Sequence, residues 1–417
     1  MRIMMHDYAG HPFQVQLSRE LARRGHHVLH LHFSELQTPK GNVVRQSGDP
    51  ESFKVEGLSL GEPFAKGAFI RRRAQELAYG RRVAARMEAF APDVVLSANT
   101  PLEVQEILFH TARRVNARFI SWIQDFYSVA VSTLLTKKFG PFGKMVGLYY
   151  NHIEKKLLNG CDEIVYITDD FIDITRGWNI PADKCHVIEN WAPLSELQPL
   201  SRNNSWARRH GLVGKFCILY SGTLGLKHNP ALLVRLAESF RGQEQVRIVA
   251  VCQGPGRAVL ERHRDRLGLD NLLVLDIQPY EELPQVLATG DVLVAIIESD
   301  AGVFAVPSKV LTYLCAARPL LLAVPKRNLA ARTVVRAQAG LVAEANDVDA
   351  FVAAAHRLHL NPTLRRSLAQ NARGYAQRTF DIDAIADKFE RILTAPEPAP
   401  GRVRPALRPP KHQSLAS

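Results

Sequence analysis

The strongest constraint on the fold is a rhythm that runs twice through the chain. Short apolar runs rich in Val, Ile and Leu alternate with longer segments of helical period. In the first half the runs are "RIMM" (2–5), "HVLHLHF" (27–33), "DVVLSA" (93–98), "ARFISWI" (117–123), "EIVYIT" (163–168) and "CHVIEN" (185–190). In the second they are "KFCILYSG" (215–222), "VRIVAV" (246–251), "NLLVLD" (271–276), "DVLVAII" (291–297) and "LLLAV" (320–324). Runs of this length read as buried parallel strands, and the segments between them as crossover helices. One such helix is "FQVQLSRELARRG" (13–25), with Val15, Leu17, Leu21 and Ala22 on one side and Gly25 at its end. The polar connection over 192–214 interrupts the rhythm, and 417 residues exceed one ordinary core. The reading is an α/β chain of two Rossmann-like parallel-sheet domains facing across a cleft. The first spans 1–195, a linker covers 196–214, and the second domain spans 215–380. A last helix follows over 381–394. The Pro-rich basic tail, 395–417, has no apolar period and is expected to be disordered.

In such sheets ligands gather beyond the carboxyl ends of the strands. Three of those ends in the second half carry glycines, a lysine, or both. "GTLGLKHNP" (222–230) supplies Gly222, Thr223, Gly225 and Lys227, with Asn229-Pro230 opening the next helix. "QGPG" (253–256) supplies Gly254. "VPSKVLTYLCAARP" (306–319) reads as a helix capped by Ser308, with Val310, Leu311 and Leu314 inward and Arg318-Pro319 at its end. Lys309 opposes the dipole of that helix, so capping does not account for it. An anion at the helix N-terminus does. A lysine that reaches solvent along its stem is the other reading, and the stretch alone does not choose.

A net charge of +12 favours an anionic partner. Residues 69–90 hold six Arg against two Glu, and residues 134–157 mix five Lys with Leu, Phe, Met and Tyr. In the second stretch Met145, Tyr149, Ile153 and Leu157 recur at i, i+4. Together the two stretches suggest a helical surface lying on an anionic bilayer, although each alone fits a solvated amphipathic helix. No nucleic-acid signature is present, so no nucleic-acid partner is expected. No apolar run reaches the ~18 residues of a membrane span. The opening "MRIMMHDYAG" reads as a first strand, and the five scattered cysteines as reduced thiols. The expected place is the cytoplasm, at the inner face of the membrane. His26, His27, His30 and His32 lack a completing carboxylate or thiol, so no metal is expected there. His110, His186 and His228 belong to no legible constellation. Glu154 reads as a capping or packing residue, and "DID" (381–383) as an acidic helix start.

At this point the second half resembles the retaining GT-B glycosyltransferases of family 4. "LYSGTLGLKHN" is similar to their strand, glycine loop and lysine, and "VPSKVLTYLCAARPLLLAV" to their donor-site helix. "ENWAP" (189–193), "GHPFQVQLSRELARRGHHV", "CDEIVYIT" and "WIQDFYS" (122–128) resemble segments of the enzymes that build colanic acid, O-antigen and similar envelope polysaccharides. The ordered set covers roughly residues 1–393. The resemblance implies a UDP- or GDP-sugar donor, a lipid-linked saccharide acceptor on the first domain, and no metal or other cofactor. It implies that Lys227 and Lys309 neutralise the departing diphosphate, with Ser308 beside them. Gly222, Thr223, Gly225, Gly254 and Thr312 would line the donor. Gln278 and Tyr280, flanking Pro279, would stand near the base. Gly10 and His11 would lie over the reacting sugar, and Asp125 would reach toward the acceptor.

The chain departs from the family at telling places. Thr223 stands where many relatives carry Arg. Thr312 stands where most carry the Glu that holds ribose, and Phe304-Ala305 occupies the region of an earlier acid. Glu298 and Asp300 are candidate substitutes. Two alternatives therefore accompany the transferase reading: a nucleotide-sugar 2-epimerase on the same scaffold, and a non-catalytic binding subunit.

Overall fold

A computed structural model describes residues 1–36, 40–65, 68–98, 100–225, 227–299 and 306–395, without the side chains of Leu134, Lys138 and Phe139. Asp300, Phe304, Ala305 and the tail from 396 lie outside the described residues.

The first half forms a seven-stranded sheet from β1 (Arg2–Asp7), β2 (His27–Phe33), β3 (Phe53–Leu58), β4 (Val94–Ala98), β5 (Arg118–Ile123), β6 (Glu163–Tyr166) and β7 (Cys185–Val187), in the order β3-β2-β1-β4-β5-β6-β7. The second half forms a six-stranded sheet from β8 (Phe216–Thr223), β9 (Val246–Gln253), β10 (Leu272–Leu275), β11 (Val292–Ile296), β12 (Leu320–Ala323) and β13 (Gly340–Ala343), in the order β10-β9-β8-β11-β12-β13. Each paired register between neighbours is parallel. The central strands are buried on both faces, as crossover helices require. β3 and β13 escape a reading of apolar runs. Both are edge strands, and an edge tolerates the Lys and Glu of "FKVEGL" or a four-residue run beginning with Gly.

The last helix, Ile382–Leu393, returns to the first domain. Arg24 Nη1 meets Asp387 at 2.6 Å and Glu390 at 2.9 Å, and Arg118 Nη1 donates to the Leu393 carbonyl at 2.8 Å. Phe389 packs on Trp122 with ring centroids 4.7 Å apart. Asp381 caps this helix by accepting from the Asp383 and Ala384 amides, which is the structural role read from "DID". Arg332 to Asp170 and Arg336 to Glu189 are further ion pairs between the domains. All five cysteines are free thiols, four of them buried.

Residues 127–160 correct the reading of a single surface helix. Gly140 (φ 55°) and Pro141 break the segment. Its two arms fold back on each other so tightly that a Cβ on Gly143 would stand 2.0 Å from the Leu135 carbonyl oxygen. At the base of this hairpin Glu154 accepts from the Tyr127 and Ser128 amides and from the Ser128 hydroxyl, capping the first arm. The i, i+4 stripe divides. Ile153 and Leu157 join the core, while Met145 and Tyr149 are 64% and 56% exposed. The Arg cluster is also less free than its sequence suggests. Arg71 pairs with Glu62, Arg72 with Glu76, and Arg73 with Glu103. Among the described residues no helix is long and apolar enough to cross a membrane.

Candidate active site

The carboxyl ends of the two sheets face one another across a cleft of about 500 Å³. Its second-domain wall is built around Lys309. The Lys309–Cys315 helix is fixed to β8 by Tyr313, whose hydroxyl donates to the Ser221 carbonyl at 3.2 Å and accepts from the Ser221 amide at 3.0 Å. One residue on, Gly222 has φ 129°, a backbone region that favours glycine. A Cβ there would stand 3.3 Å from Lys309 Nζ, so the glycine makes room for the amine beside the strand end.

Parts of the Lys309 stem remain accessible, but its Nζ is buried and makes no hydrogen bond among the described residues. The nearest compensation is the Tyr220 ring, whose centroid lies 3.7 Å from Nζ. Burial pushes the amine down from its ordinary value near 10.5 to about 7. A buried, unsatisfied ammonium is unfavourable in a folded chain unless a ligand completes it. This arrangement favours the anion reading of Lys309 over the snorkelling one. Ser308 lines the same wall, but the structure corrects its assigned role: its side chain makes no capping hydrogen bond. Thr312 also lines the wall, with its hydroxyl donating to the Lys309 carbonyl at 2.8 Å.

Thr223 and Lys227 continue the wall. Tyr220 braces this loop by donating to the Thr223 carbonyl at 2.7 Å. Gly225 and Gly254 do not line the cleft; they shape the loop behind it. A Cβ on Gly254 would stand 3.0 Å from the Leu224 carbonyl oxygen, which accepts from the Gly256 amide at 2.9 Å. Glu298 is likewise outside the lining, and its amide donates to the Lys227 carbonyl at 2.8 Å. At the far end stand Gln278 and Tyr280. Gln278 is held by Trp206, whose indole N–H donates to it at 3.2 Å.

From the first domain come His11, Lys40, Trp191 and Asp125. His11 is anchored by Asp7, which accepts from its amide and lies 3.3 Å from its Nδ1. Gly10 (φ 75°) does not line the cleft; it sets the turn that presents His11. Asp125 sits at the end of β5, with half its side chain open to the cleft, and its Oδ2 lies 3.6 Å from Lys227 Nζ. Desolvation raises the Asp125 carboxyl from its ordinary value, while Lys227 opposes the shift.

Asp125 and Lys227 also close one end of a second cavity of about 230 Å³ in the first domain. Part of its lining is polar. Ser97 donates to Gln105 at 2.8 Å, and Gln105 donates to Ser121 at 3.3 Å. Glu154 lies in its wall, its carboxyl pushed up by burial to about 7. Sequence reasoning did not single out this cavity, because its lining comes from six separated segments. It also missed His228, which lines the main cleft beside Lys227. Among the described residues no group of His, Cys, Asp and Glu could hold a metal ion.

Comparison with known proteins agrees with this fold. Residues 11–191 match the model described as "Glycosyl transferase 4-like domain", and residues 203–375 the one described as "Glycosyl transferases group 1". The chain belongs to the GT-B glycosyltransferases of family 4. A relative of this transferase is the putative colanic acid biosynthesis glycosyl transferase WcaI of Escherichia coli K12. It is 26% identical over 282 residues, covering 67% of this chain and 68% of that protein. Solved structures share the fold at lower identity. Sucrose-phosphate synthase of Thermosynechococcus elongatus aligns at TM-score 0.70 and 15% identity over 94% of this chain and 98% of that one. Anabaena HepE in complex with UDP-glucose aligns at 0.68 and 14% over 95% and 100%. WaaG, a glycosyltransferase involved in lipopolysaccharide biosynthesis, aligns at 0.67 and 16% over 94% and 100%.

Proposed function

We propose that this glycosyltransferase moves a sugar from a nucleoside-diphosphate donor to a lipid-linked saccharide, with retention and without a metal, in the synthesis of an envelope polysaccharide. The observation that carries the donor half is Lys309. Its amine is buried, has no hydrogen-bond partner among the described residues, and belongs to a residue that lines a cleft between two Rossmann-like domains. A diphosphate would complete it, with Lys227, Ser308 and the Gly222 edge close by. As the sugar bond breaks, charge grows on the leaving phosphate, and positively charged groups already in place stabilise it. Solved relatives of the same fold hold UDP and UDP-glucose, which makes UDP the first nucleotide to test. The colanic acid relative supports the envelope assignment.

The acceptor half rests on the second cavity. The polar part of its lining suits sugar hydroxyls, and Asp125 stands where the two spaces meet. Near its wall the hairpin leaves Phe142, Met145, Leu148 and Tyr149 exposed beside Lys144, and the helix Phe69–Phe90 begins with exposed Phe69 and Ile70. Glu103 joins the two elements, accepting from Tyr150 at 2.8 Å and pairing with Arg73 at 3.3 Å. Exposed apolar side chains with lysines beside them suit insertion into an anionic bilayer, from which a lipid-linked acceptor could enter.

The donor reading is tested with purified protein, membranes and a panel of nucleotide sugars. Nucleoside diphosphate released only when a lipid acceptor is present is the expected result. Isomerised donor, or binding without turnover, overturns it. The membrane reading is tested by sedimentation with vesicles rich in anionic lipid. The triple variant Phe142→Ser/Met145→Ser/Tyr149→Ser should bind about tenfold more weakly or worse. Neutralising Arg71, Arg72 and Arg73 should matter less, because those side chains are already paired. Equal pelleting of wild type and triple variant sinks the apolar anchor.

A further inference from the structure

Next to Lys227, in the loop that closes the donor wall, His228 is placed by one backbone hydrogen bond. The Gly225 amide donates to its Nδ1 at 3.1 Å. An amide N–H can only donate, so Nδ1 must be the bare nitrogen of the ring. In a neutral imidazole the proton then sits on Nε2. Among the described residues nothing accepts from Nε2, and the ring lines the cleft together with Lys227, Lys309, Gly222 and Thr223. The ring also stands edge-on to Tyr220, the residue whose face underlies the Lys309 ammonium.

We infer that His228 is a third phosphate ligand: a neutral imidazole whose Nε2–H donates to the donor diphosphate between the two lysines. This rests on the reading of the cleft as a nucleoside-diphosphate site. A neutral donor is the form the surroundings favour, because a third cation beside two lysines would be repelled in the empty cleft. Burial, with the charges of Lys309 and Lys227 adding to it, pushes the imidazole down to about 4. The bond to Gly225 serves a second purpose. It ties the tautomer to the loop conformation, so the donor is aimed only when the glycine loop is in its binding shape.

Two substitutions separate the roles of the two nitrogens. In His228→Asn the amide oxygen can take the place of Nδ1 and keep the Gly225 bond, but no donor reaches the Nε2 position. In His228→Gln the amide nitrogen can take the place of Nε2. Calorimetric titration of the full chain with UDP, and separately with GDP, should show His228→Asn binding roughly 10- to 100-fold more weakly than wild type. His228→Gln should recover part of that loss. Nitrogen-15 NMR of the imidazoles should find His228 protonated on Nε2 alone, with that signal shifting when nucleotide is added. His228→Asn with wild-type affinity overturns the inference, as does equal weakness of the two variants or an imidazolium in the complex. Wild-type protein that binds neither nucleotide sinks the donor-site reading and this inference with it. Wild-type binding with an unaffected His228→Asn sinks this inference alone.

Discussion

Lys309→Met is expected to raise the melting temperature and to lower kcat/KM by roughly a hundredfold or more. In the unfolded chain the amine is hydrated and titrates near its ordinary value. In the folded chain its Nζ is buried without a hydrogen-bond partner among the described residues, and burial has brought its pKa to about 7. A folded pKa below the unfolded one means that the unfolded state holds more protons between pH 7 and about 10.5. Wild-type stability should therefore rise with pH across that window, and the full penalty is present at pH 7 and below. A shift of this size corresponds to a few kcal/mol. Met fills a similar volume with no charge to desolvate, so the variant escapes the penalty and its pH slope. Turnover should collapse because the leaving diphosphate loses the cation held ready for it. Added UDP or GDP, whichever binds, should raise the wild-type melting temperature and leave the variant nearly unmoved. Thermal melts and a nucleotide-release assay decide the matter. A variant that melts lower and still turns over would assign Lys309 to packing.

Lys309 also shows where sequence stops being informative. Its misplacement at a helix start is visible in "VPSKVL", because a cation there opposes the dipole. Its isolation is not visible. Tyr220 and Gly222 shape its surroundings from a strand nearly ninety residues away, and only the parallel pairing of β8 with β11 brings them together. The same holds for His228, whose meaning depends on the Gly225 amide and hence on a loop conformation. The two-domain alternation was legible because central strands must be apolar on both faces. β3 and β13 were not, because edge strands escape that requirement. The stripe from Met145 to Leu157 was correctly periodic and wrongly uniform. Periodicity gives the face of a helix but not what covers it, and the break at Gly140-Pro141 leaves Met145 and Tyr149 exposed while Ile153 and Leu157 are buried.

Nucleoside-diphosphate affinity should fall as pH rises above about 7, approaching tenfold per pH unit. In the empty cleft Lys309 loses its proton near that pH. A bound diphosphate favours the charged amine and lifts its pKa in the complex. Between those two values the complex holds a proton that the free protein lacks, so binding takes one up and weakens as protons become scarce. Below pH 7 the amine is already charged and this slope vanishes. His228, held down to about 4, does not titrate in the window. Glu154 does, with a carboxyl near 7 in the adjoining cavity, and its ionisation would also disfavour an anion. The two causes part in the variants. Lys309→Arg stays charged throughout and should flatten the profile, whereas Glu154→Gln should leave the steep slope in place. Calorimetry at pH 8 in buffers of different ionisation enthalpy should register uptake approaching one proton in wild type and none in Lys309→Arg. Affinity that stays flat from pH 7 to 9, or a slope that survives in Lys309→Arg, would mean that the ammonium does not meet the phosphate.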